Sequence, residues 1–445
     1  MKKILVLGAG RSSRTLIDYF LDNSLANNWH VTVADYSLKL ARDSIKKNTN
    51  GTAIFFDVND EKQRKLEVSR SDIVVSMLPA SMHVNVAKDC IEFKKNLVTA
   101  SYVSEEMKSL HKKAREAGVL ILNEIGLDPG IDHMSAMQVI DDIKQKNGVL
   151  TSFKSFCGGL VHPKYDNNLW NYKFTWNPRN VVLAGQGVAQ YIENGQYKYI
   201  PYSSLFERVE NINILDLGDF EAYANRDSLS YRESYRLNDI KTLFRGTLRK
   251  KGYCKAWNIF VQLGMTDDTY LLENSIDLSN RDFINMFLSY NKNLSVEDKF
   301  CAQFKLSRDS DIFKKFEWLG IFSRSKQNIS KATPAQLLQT ILEDKWSLSE
   351  NDKDMIVMQH QFLYNLKGEN FKKTSSLVVF GENNVKTSMA KTVGLPVAIA
   401  TKLILEKKIT LKGVSIPTKP EIYEPILKEL SDNGIVFVEE LIKVD

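Results

Sequence analysis

The sequence opens with a glycine turn and a carboxylate whose spacing suits the binding of a dinucleotide. A short apolar run ends in Gly8-Ala9-Gly10, and Asp35 follows the next apolar run. Glycines at such a turn let the backbone approach a pyrophosphate, and the helix N-terminus that follows offers free N–H groups. Ser13 stands in place of the third glycine, and Asp35 would bind the ribose hydroxyls, which favours NAD over NADP. The alternatives are an ordinary strand-ending turn and a solvated loop aspartate.

Three further clusters of polar residues are expected where strands end. They are Ala100-Ser101-Tyr102 after the fifth strand, residues 123–133 after the sixth, and residues 156–159 in the next part of the chain. Open α/β sheets bind ligands at the carboxyl ends of their strands. We therefore expect the three clusters to contribute to one site.

The elements that position these residues alternate between strand and helix through the first 125 residues, as in an α/β fold with a doubly wound parallel sheet. Six strands are predicted at residues 3–7, 29–34, 52–56, 73–77, 96–99 and 119–122. Helices are predicted between them at residues 14–22, 39–47, 60–69, 84–93 and 105–117. Six strands with crossover helices make a complete Rossmann domain.

A second domain is predicted after the Gly- and Pro-rich turn at residues 126–130. Residues 1–125 form the dinucleotide-binding domain, and residues 126–385 form an α+β substrate domain with a mixed sheet and a helical subdomain at 275–350. Strands are expected at residues 152–157, 172–176, 211–214, 242–249 and 373–380. A helix near residues 388–406 is expected to return to the Rossmann domain within 386–410, before a short charged tail.

Composition narrows the class of protein. Of the 445 residues, 43% are hydrophobic and 26% are charged, which is typical of a globular protein. The net charge of +6 is spread along the chain, so nucleic acid is not an expected partner. No apolar run approaches the roughly 20 residues that span a bilayer, and the first residues do not resemble a secretory signal, so we expect a cytoplasmic protein without a membrane partner. The four cysteines show no paired spacing, and no metal site is expected.

Several strings identify a family resemblance. VTASYVS, NEIGLDPGIDHM, CGGL, YKFTW, NRDS, RGTLRKKGY and AKTVGLPVAIATK resemble the glutamate-forming saccharopine dehydrogenases, also called saccharopine reductases, over nearly the whole chain. The resemblance implies oxidation of saccharopine, with water and a nicotinamide cofactor, to glutamate and 2-aminoadipate 6-semialdehyde, or the reverse condensation. The resemblance implies that members of the family that use NADP carry Cys-Arg-Thr at the positions where this chain has Asp35-Tyr36-Ser37. That departure points to NAD and to lysine degradation.

The resemblance also implies site residues. Together with Gly8, the expected cofactor contacts are Gly10, Arg11, Ser12, Ser13, Asp35, Tyr36, Ser37, Asp57, Val58, Leu78, Ala100, Ser101, Leu127, Asp128, Pro129 and Asn177. The expected saccharopine contacts are Ser101, Tyr102, Asp128, Arg226, Thr247, Leu248 and Arg249. Ala100 and Asn177 replace serines of other members, which weakens the expected polar contacts there.

These residue types suit a substrate with three carboxylates and two nitrogens. Arg226 and Arg249 can each bind a carboxylate through two parallel hydrogen bonds, although most arginines are simply solvated surface residues. Asp128 is the expected proton-transfer group, with Tyr102 and Cys157 as relays to the amine and water. Cys157 could equally be a small buried hydrophobe.

Other functions remain open at this point. NADP could replace NAD, as in a saccharopine reductase of lysine biosynthesis, or a diamine could replace lysine, as in a carboxynorspermidine or homospermidine type of reductase. A third alternative is a Rossmann protein that senses the nucleotide without turnover. Saccharopine is the expected small-molecule partner, and a homodimer is one assembly that the sequence allows.

Overall fold

The structure is a computed structural model that describes residues 1–444. These residues form two compact units, which we describe one at a time. Unit 1 comprises Met1–Val149 and Leu377–Val438. Unit 2 comprises Leu150–Ser376 and the residues from Glu439 onward.

Sixteen strands are numbered in chain order through both units. They are β1 (Lys2–Leu7), β2 (Trp29–Asp35), β3 (Gly51–Phe55), β4 (Ile73–Ser76), β5 (Asn96–Val98), β6 (Leu120–Leu122), β7 (Val149–Val161), β8 (Val188–Glu193), β9 (Gln196–Pro201), β10 (Val209–Asn213), β11 (Asp219–Ala224), β12 (Thr242–Lys250), β13 (Asp354–Leu366), β14 (Glu369–Phe380), β15 (Gly413–Ser415) and β16 (Val438–Val444).

The α-helices are numbered in the same way. They are α1 (Arg14–Asp22), α2 (Ser24–Asn27), α3 (Leu38–Ile45), α4 (Glu61–Arg70), α5 (His83–Glu92), α6 (Glu105–Ser109), α7 (His111–Glu116), α8 (Ile131–Gln145), α9 (Pro178–Val182), α10 (Tyr231–Ser234), α11 (Tyr253–Leu263), α12 (Asn280–Met286), α13 (Val296–Phe304), α14 (Asp311–Trp318), α15 (Pro334–Trp346), α16 (Ser388–Leu405) and α17 (Pro420–Asp432).

Unit 1 is built on a seven-stranded sheet in the order β3-β2-β1-β4-β5-β6-β15. Each neighbouring pair is parallel. This arrangement confirms the predicted Rossmann fold, and each of the six predicted strands is present within one or two residues of its expected bounds. β15 was not predicted, because three residues carry too little pattern to identify a strand.

Side-chain caps explain where several crossover helices of unit 1 begin. The side chains of Ser37, Asp60 and Ser104 accept hydrogen bonds from backbone N–H groups in the first turns of α3, α4 and α6. Such caps satisfy backbone donors that have no partner inside the helix. The predicted helix at 105–117 is divided at Leu110 into α6 and α7.

The segment that returns to unit 1 is longer than predicted. It runs from Leu377 to Val438, and α17 lies where a charged tail was expected. The structure groups α8 with unit 1, although α8 follows residue 126, where the second domain is predicted to begin. The reason is packing: α8 lies against α17, and Tyr423 Oη donates a hydrogen bond to Asp141 at 2.8 Å.

The core of unit 1 includes the apolar helix α16. Its 18 residues are long and apolar enough to cross a membrane by length and composition, contrary to the expectation that no such run exists, and 78% of that stretch is buried inside the structure. α16 packs against α1, where a Cβ at Gly394 would lie 3.0 Å from the backbone nitrogen of Leu16. Its apolar composition therefore matches a core helix.

Unit 2 contains a mixed nine-stranded sheet with the main order β10-β11-β12-β7-β13-β14-β16, and β8 pairs with both β12 and β9. β12 is parallel to β7 and antiparallel to β11. The strand predicted at residues 172–176 is wrong: only Phe174 makes an isolated bridge, to Ser347. The aromatic residues there are buried in a cluster around Trp170 and Trp346 instead of forming a ladder. α12 to α15 lie within the range of the predicted helical subdomain.

Candidate functional site

The glycine turn after β1 has the shape that a phosphate site needs. Gly8 has φ +99°, and a Cβ there would lie 3.0 Å from the carbonyl oxygen of Met77. A Cβ added to Gly10 would meet no protein atom within 4 Å. The backbone at Gly8 therefore packs closely against the end of β4, whereas the space beside Gly10 is open. Gly10 directly precedes a 3-10 turn that leads into α1. This open face at a helix N-terminus fits a pyrophosphate group.

Asp35 at the end of β2 is fixed by two backbone groups. Its Oδ2 accepts a hydrogen bond from the N–H of Ala9 at 2.7 Å, and its Oδ1 accepts one from the N–H of Ser37 at 2.7 Å. Each carboxylate oxygen can accept a further bond, so ribose hydroxyls still fit. The exposed ring of Tyr36 lies beside that of Phe55, with centroids 5.4 Å apart.

The remaining predicted cofactor residues of unit 1 lie along the carboxyl ends of the strands. Arg11 is exposed, Ser12 is half-buried and Ser13 is buried. Asp57 caps its own loop by accepting a hydrogen bond from the N–H of Asn59 at 2.9 Å. Val58, Leu78, Leu127 and Pro129 are buried or half-buried apolar residues on neighbouring loops.

Glycines bring the loops after β5 and β6 into contact. A Cβ on Gly126 would lie 2.9 Å from the Cβ of Ala100, and Gly130, at φ +147°, folds back onto Gly126. The Gly126 N–H donates to the carbonyl of Pro129 at 2.9 Å. The turn that carries Asp128 is thus held tightly against the loop that carries Ser101.

Asp128 and Tyr102 meet at this edge of the unit 1 sheet. Tyr102 Oη donates to Asp128 Oδ1 at 3.2 Å. Tyr102 is 41% exposed and Asp128 is half-buried, so both remain accessible to a ligand. A phenol and a carboxylate in hydrogen-bond contact can pass a proton.

A buried carboxylate that was not among the predicted site residues supports this loop. Glu124 Oε1 accepts a hydrogen bond from the N–H of Val103 at 2.9 Å, and its Oε2 lies 2.8 Å from His133 Nε2. Glu124 has φ +57°, in the left-handed region that few non-glycine residues adopt. His133 is fully buried in this pair, which agrees with a packing role and not with that of a base.

A second buried histidine was also missed. His83, at the start of α5, is 2% exposed, and its Nδ1 lies 2.8 Å from Ser76 Oγ while its Nε2 lies 2.7 Å from Ser101 Oγ. Burial lowers the pKa of His83 to about 4. The available signals were the polar residues at the ends of strands four and five and a histidine shortly after Pro79.

In unit 2, Arg249 is a buried cation without a carboxylate partner. It is 3% exposed, its Nε has no hydrogen-bond acceptor, and within residues 1–444 no carboxylate oxygen lies within 4.0 Å of it. Its Nη1 donates to the carbonyl of Leu248 at 2.9 Å. The guanidinium carbon lies 4.8, 5.7 and 5.3 Å from the ring centroids of Tyr172, Tyr223 and Tyr253.

Neutral rings surround this guanidinium. Burial raises the pKa of Tyr172, Tyr223 and Tyr253, so each phenol keeps its proton near neutral pH. Aromatic faces attract a cation but do not neutralise it. The site therefore retains a net positive charge that suits an anionic ligand group.

Cys157 lies beside Thr247 in the sheet. The two residues are paired in the register of β7 with β12, and Cys157 is 7% exposed. The expectation that Cys157 follows a strand end is wrong, because β7 continues to Val161. Leu248 is fully buried and so contributes its backbone and core packing.

Arg226 and Asn177 occupy loops of unit 2. Arg226 is exposed with φ +45°, and its carbonyl accepts a hydrogen bond from the N–H of Gln190 at 2.9 Å. Asn177 caps α9 by accepting a hydrogen bond from the N–H of Arg179 at 2.9 Å. The Asn177 side chain thus has a local structural role in addition to the predicted cofactor contact.

Comparisons with known proteins agree with this architecture. A family model described as the saccharopine dehydrogenase NADP binding domain matches residues 4–122, and one described as the saccharopine dehydrogenase C-terminal domain matches residues 126–435. A solved apo structure of histidine-tagged saccharopine dehydrogenase (L-Glu forming) from Saccharomyces cerevisiae has a TM-score of 0.89 and 33% identity, covering 99% of this chain and 100% of that chain.

Curated relatives fall into two size classes. An α-aminoadipic semialdehyde synthase from Rattus norvegicus is 37% identical over 98% of this chain but only 47% of its own length, so this chain spans about half of that protein. Saccharopine dehydrogenase (NADP(+), L-glutamate-forming) from Saccharomyces cerevisiae is 35% identical over 99% of both chains. A homospermidine synthase from Legionella pneumophila, with 9% identity and a TM-score of 0.54, shares the fold alone.

The first family model covers the Rossmann strands from β1 to β6, so this unit binds a nicotinamide dinucleotide. The second model continues through most of the remaining chain. With two matched models and a full-length relative at 35% identity, this chain belongs to the saccharopine dehydrogenase family.

Proposed function

We propose that this protein oxidises saccharopine, with NAD and water, to L-glutamate and 2-aminoadipate 6-semialdehyde, and that it serves lysine degradation. The observation that carries the proposal is Arg249, a buried guanidinium with an unsatisfied Nε and no carboxylate within 4.0 Å among the described residues. A buried charge is costly unless something compensates it. A substrate carboxylate supplies that compensation, and saccharopine has three.

Arg226 is the second expected cation of the substrate site. Arg226 is exposed on a loop, and its backbone adopts a left-handed conformation that sets the direction of its Cα–Cβ bond. Local strain of this kind is often found at ligand-binding positions. In the proposal Arg226 binds another carboxylate, while Thr247 supplies a hydroxyl from the neighbouring β12.

Proton transfer is assigned to the Tyr102–Asp128 pair of unit 1. NAD held by unit 1 would supply a hydride acceptor for the carbon beside the secondary amine of the substrate. Asp128 takes a proton from that amine or from water, and the hydrogen bond from Tyr102 at 3.2 Å holds its carboxylate in place. Cys157, within β7, is the weaker relay candidate because the residue is only 7% exposed.

The choice of NAD rests on Asp35. Its carboxylate repels a 2′-phosphate, and neither Tyr36 nor Ser37 carries a cation to bind one. The names of the family model and of the yeast relative mention NADP, which makes NADP the alternative cofactor. Arg11, which is exposed beside the glycine turn, is the cation of this region that would favour NADP.

The test is the initial rate of reduced-cofactor formation from saccharopine, measured with NAD and NADP separately on purified protein. We expect a higher kcat/KM with NAD, and a reversed preference in Asp35→Ala combined with Tyr36→Arg. Absence of saccharopine turnover with either cofactor would refute the proposed activity. An unchanged cofactor ratio in the double variant would refute only the role of Asp35.

A substrate panel separates the diamine alternative. Reductases of the carboxynorspermidine or homospermidine type join a diamine, whereas the buried Arg249 favours a further carboxylate. Turnover with diamines and semialdehydes but not with saccharopine would favour that alternative. Tight NAD binding without turnover of any substrate would favour a nucleotide sensor.

A further inference from the structure

The buried hydrogen-bond chain Ser76–His83–Ser101 has a direction that its geometry fixes. Ser76 is fully buried at the end of β4, and its hydroxyl contacts only His83 Nδ1, at 2.8 Å, among the described residues. On the other side of the ring, His83 Nε2 lies 2.7 Å from Ser101 Oγ. Three chain segments therefore meet at one imidazole.

The imidazole is neutral in the folded protein, since burial lowers its pKa to about 4. A neutral ring has one N–H donor and one acceptor nitrogen. Either Ser76 donates to Nδ1 and Nε2–H donates to Ser101, or both bonds run in the opposite direction.

Hydrogen-bond satisfaction decides between the two directions. In the reversed direction the Ser76 proton would have no acceptor, and a buried unsatisfied hydroxyl is costly. The reversed direction would gain only the longer contact of Thr99 Oγ1 with Nε2, at 3.4 Å. We therefore assign the proton to Nε2, with Ser76 as donor to Nδ1.

This direction determines what Ser101 can do. Its hydroxyl oxygen accepts the hydrogen bond from His83, and its backbone is fixed because the carbonyl accepts a bond from the N–H of Glu124 at 3.1 Å. The remaining Ser101 proton therefore points to another acceptor. Ser101 is half-buried, so a ligand can reach it.

We propose that His83 and Ser76 are positioning residues that make Ser101 a hydrogen-bond donor to a carboxylate oxygen of the bound amino-acid substrate. The carboxylate identity of that group rests on the proposed function, whereas the direction of the chain does not. A substrate ammonium, which has no lone pair, cannot accept this proton.

Nuclear magnetic resonance of protein with 15N-labelled histidine tests the direction without any substrate. We expect His83 to show a protonated Nε2 and an unprotonated, hydrogen-bonded Nδ1 at neutral pH, with its signals assigned by their loss in His83→Gln. A proton on Nδ1 would overturn the inference. This result is independent of whether saccharopine is turned over.

A double-mutant cycle with saccharopine and NAD tests the consequence. Ser76→Ala removes the donor to Nδ1 and should raise the KM for saccharopine roughly 5-fold while the KM for NAD stays unchanged. In a protein that already carries Ser101→Ala, the same change should have no further effect. Additive effects of the two substitutions would overturn the inference even if saccharopine is a substrate.

Ser44→Ala is the matched control for this cycle. Ser44 is a buried serine of unit 1 whose hydroxyl donates to the carbonyl of Ala41 at 2.7 Å within α3, whereas His83 lies in α5. Ser44→Ala should leave the KM for saccharopine and the KM for NAD unchanged. If the wild-type protein does not turn over saccharopine, the proposed function fails, and the tautomer of His83 alone decides the direction of the chain.

Discussion

The carboxylate of Asp35 is bonded directly to the phosphate turn, because its Oδ2 accepts a hydrogen bond from the backbone N–H of Ala9 at 2.7 Å. Asp35 therefore orders the turn, in addition to its proposed role in the choice of cofactor. The side-chain oxygen of an asparagine at this position could serve only one of the two N–H groups, since its amide nitrogen is a donor. We expect Asp35→Asn to weaken NAD binding about 10-fold by calorimetry. Unchanged affinity would mean that the Ala9 contact does not support the site.

Alanine substitutions of the two glycines of the turn should affect different properties, namely stability for Gly8 and cofactor binding for Gly10. Gly10→Ala adds a methyl group that meets no protein atom within 4 Å, so the unfolding temperature should stay unchanged while NAD binding weakens. Gly8→Ala must adopt φ +99° and approach the Met77 carbonyl oxygen, so it should lower the unfolding temperature. Calorimetric unfolding and cofactor titration of both variants check this, and equal losses of stability would contradict it.

Substitutions of the Tyr102–Asp128 pair should act mainly on kcat. Asp128→Asn removes the proton-accepting carboxylate and should lower kcat by about 10²- to 10⁴-fold. Tyr102→Phe removes the 3.2 Å hydrogen bond and should have a smaller effect. Steady-state kinetics with saccharopine and NAD measure both, and an Asp128→Asn enzyme with wild-type kcat would exclude Asp128 as the proton-transfer group.

Replacement of Arg249 should separate function from stability. Arg249→Met removes a buried charge that has no carboxylate partner within residues 1–444, so the unfolding temperature should change by no more than about 4 °C. The same variant should lose saccharopine turnover and retain NAD binding. Arg249→Lys keeps the positive charge but lacks the planar guanidinium that binds a carboxylate through two parallel hydrogen bonds. It should therefore retain only part of the wild-type activity. Wild-type KM for saccharopine in Arg249→Met would rule out a carboxylate contact.

Stability should decrease in acid because of His83. Burial lowers its pKa in the folded state to about 4, against 6.5 in the unfolded chain, so the unfolded state binds the proton first as the pH falls. The free energy of unfolding therefore has its full value, with respect to this group, above pH 6.5. It decreases by about 3 kcal/mol as the pH falls toward 4. Denaturant unfolding of the wild type and His83→Gln between pH 4 and 7 measures it. Parallel pH profiles for the two proteins would contradict this assignment.

The order of strands and helices in the Rossmann unit could be predicted because its signals are local. Apolar runs such as Ile4–Leu7, the glycine turn at Gly8 and caps such as Asp60 act within a few residues. The family strings likewise predicted roles for Asp128 and Arg249 without any structure, and those roles stay predictions. Local periodicity did not separate the aromatic segment at residues 172–176 from a strand, since buried aromatic clusters and strands share residue types.

Tertiary structure alone decided which distant segments meet. β15 pairs with β6, although the two strands are far apart along the chain, and His83 joins Ser76 to Ser101 by contacts that local periodicity does not specify. The absence of a carboxylate near Arg249, within the part of the chain that is described, is likewise a property of packing. Burial and hydrogen-bond satisfaction depend on every neighbour in space, whereas periodicity and capping depend only on neighbours along the chain. The sequence therefore determined the Rossmann order and the chemical groups, and the tertiary structure decided which of those groups are neutralised and which remain available to a ligand.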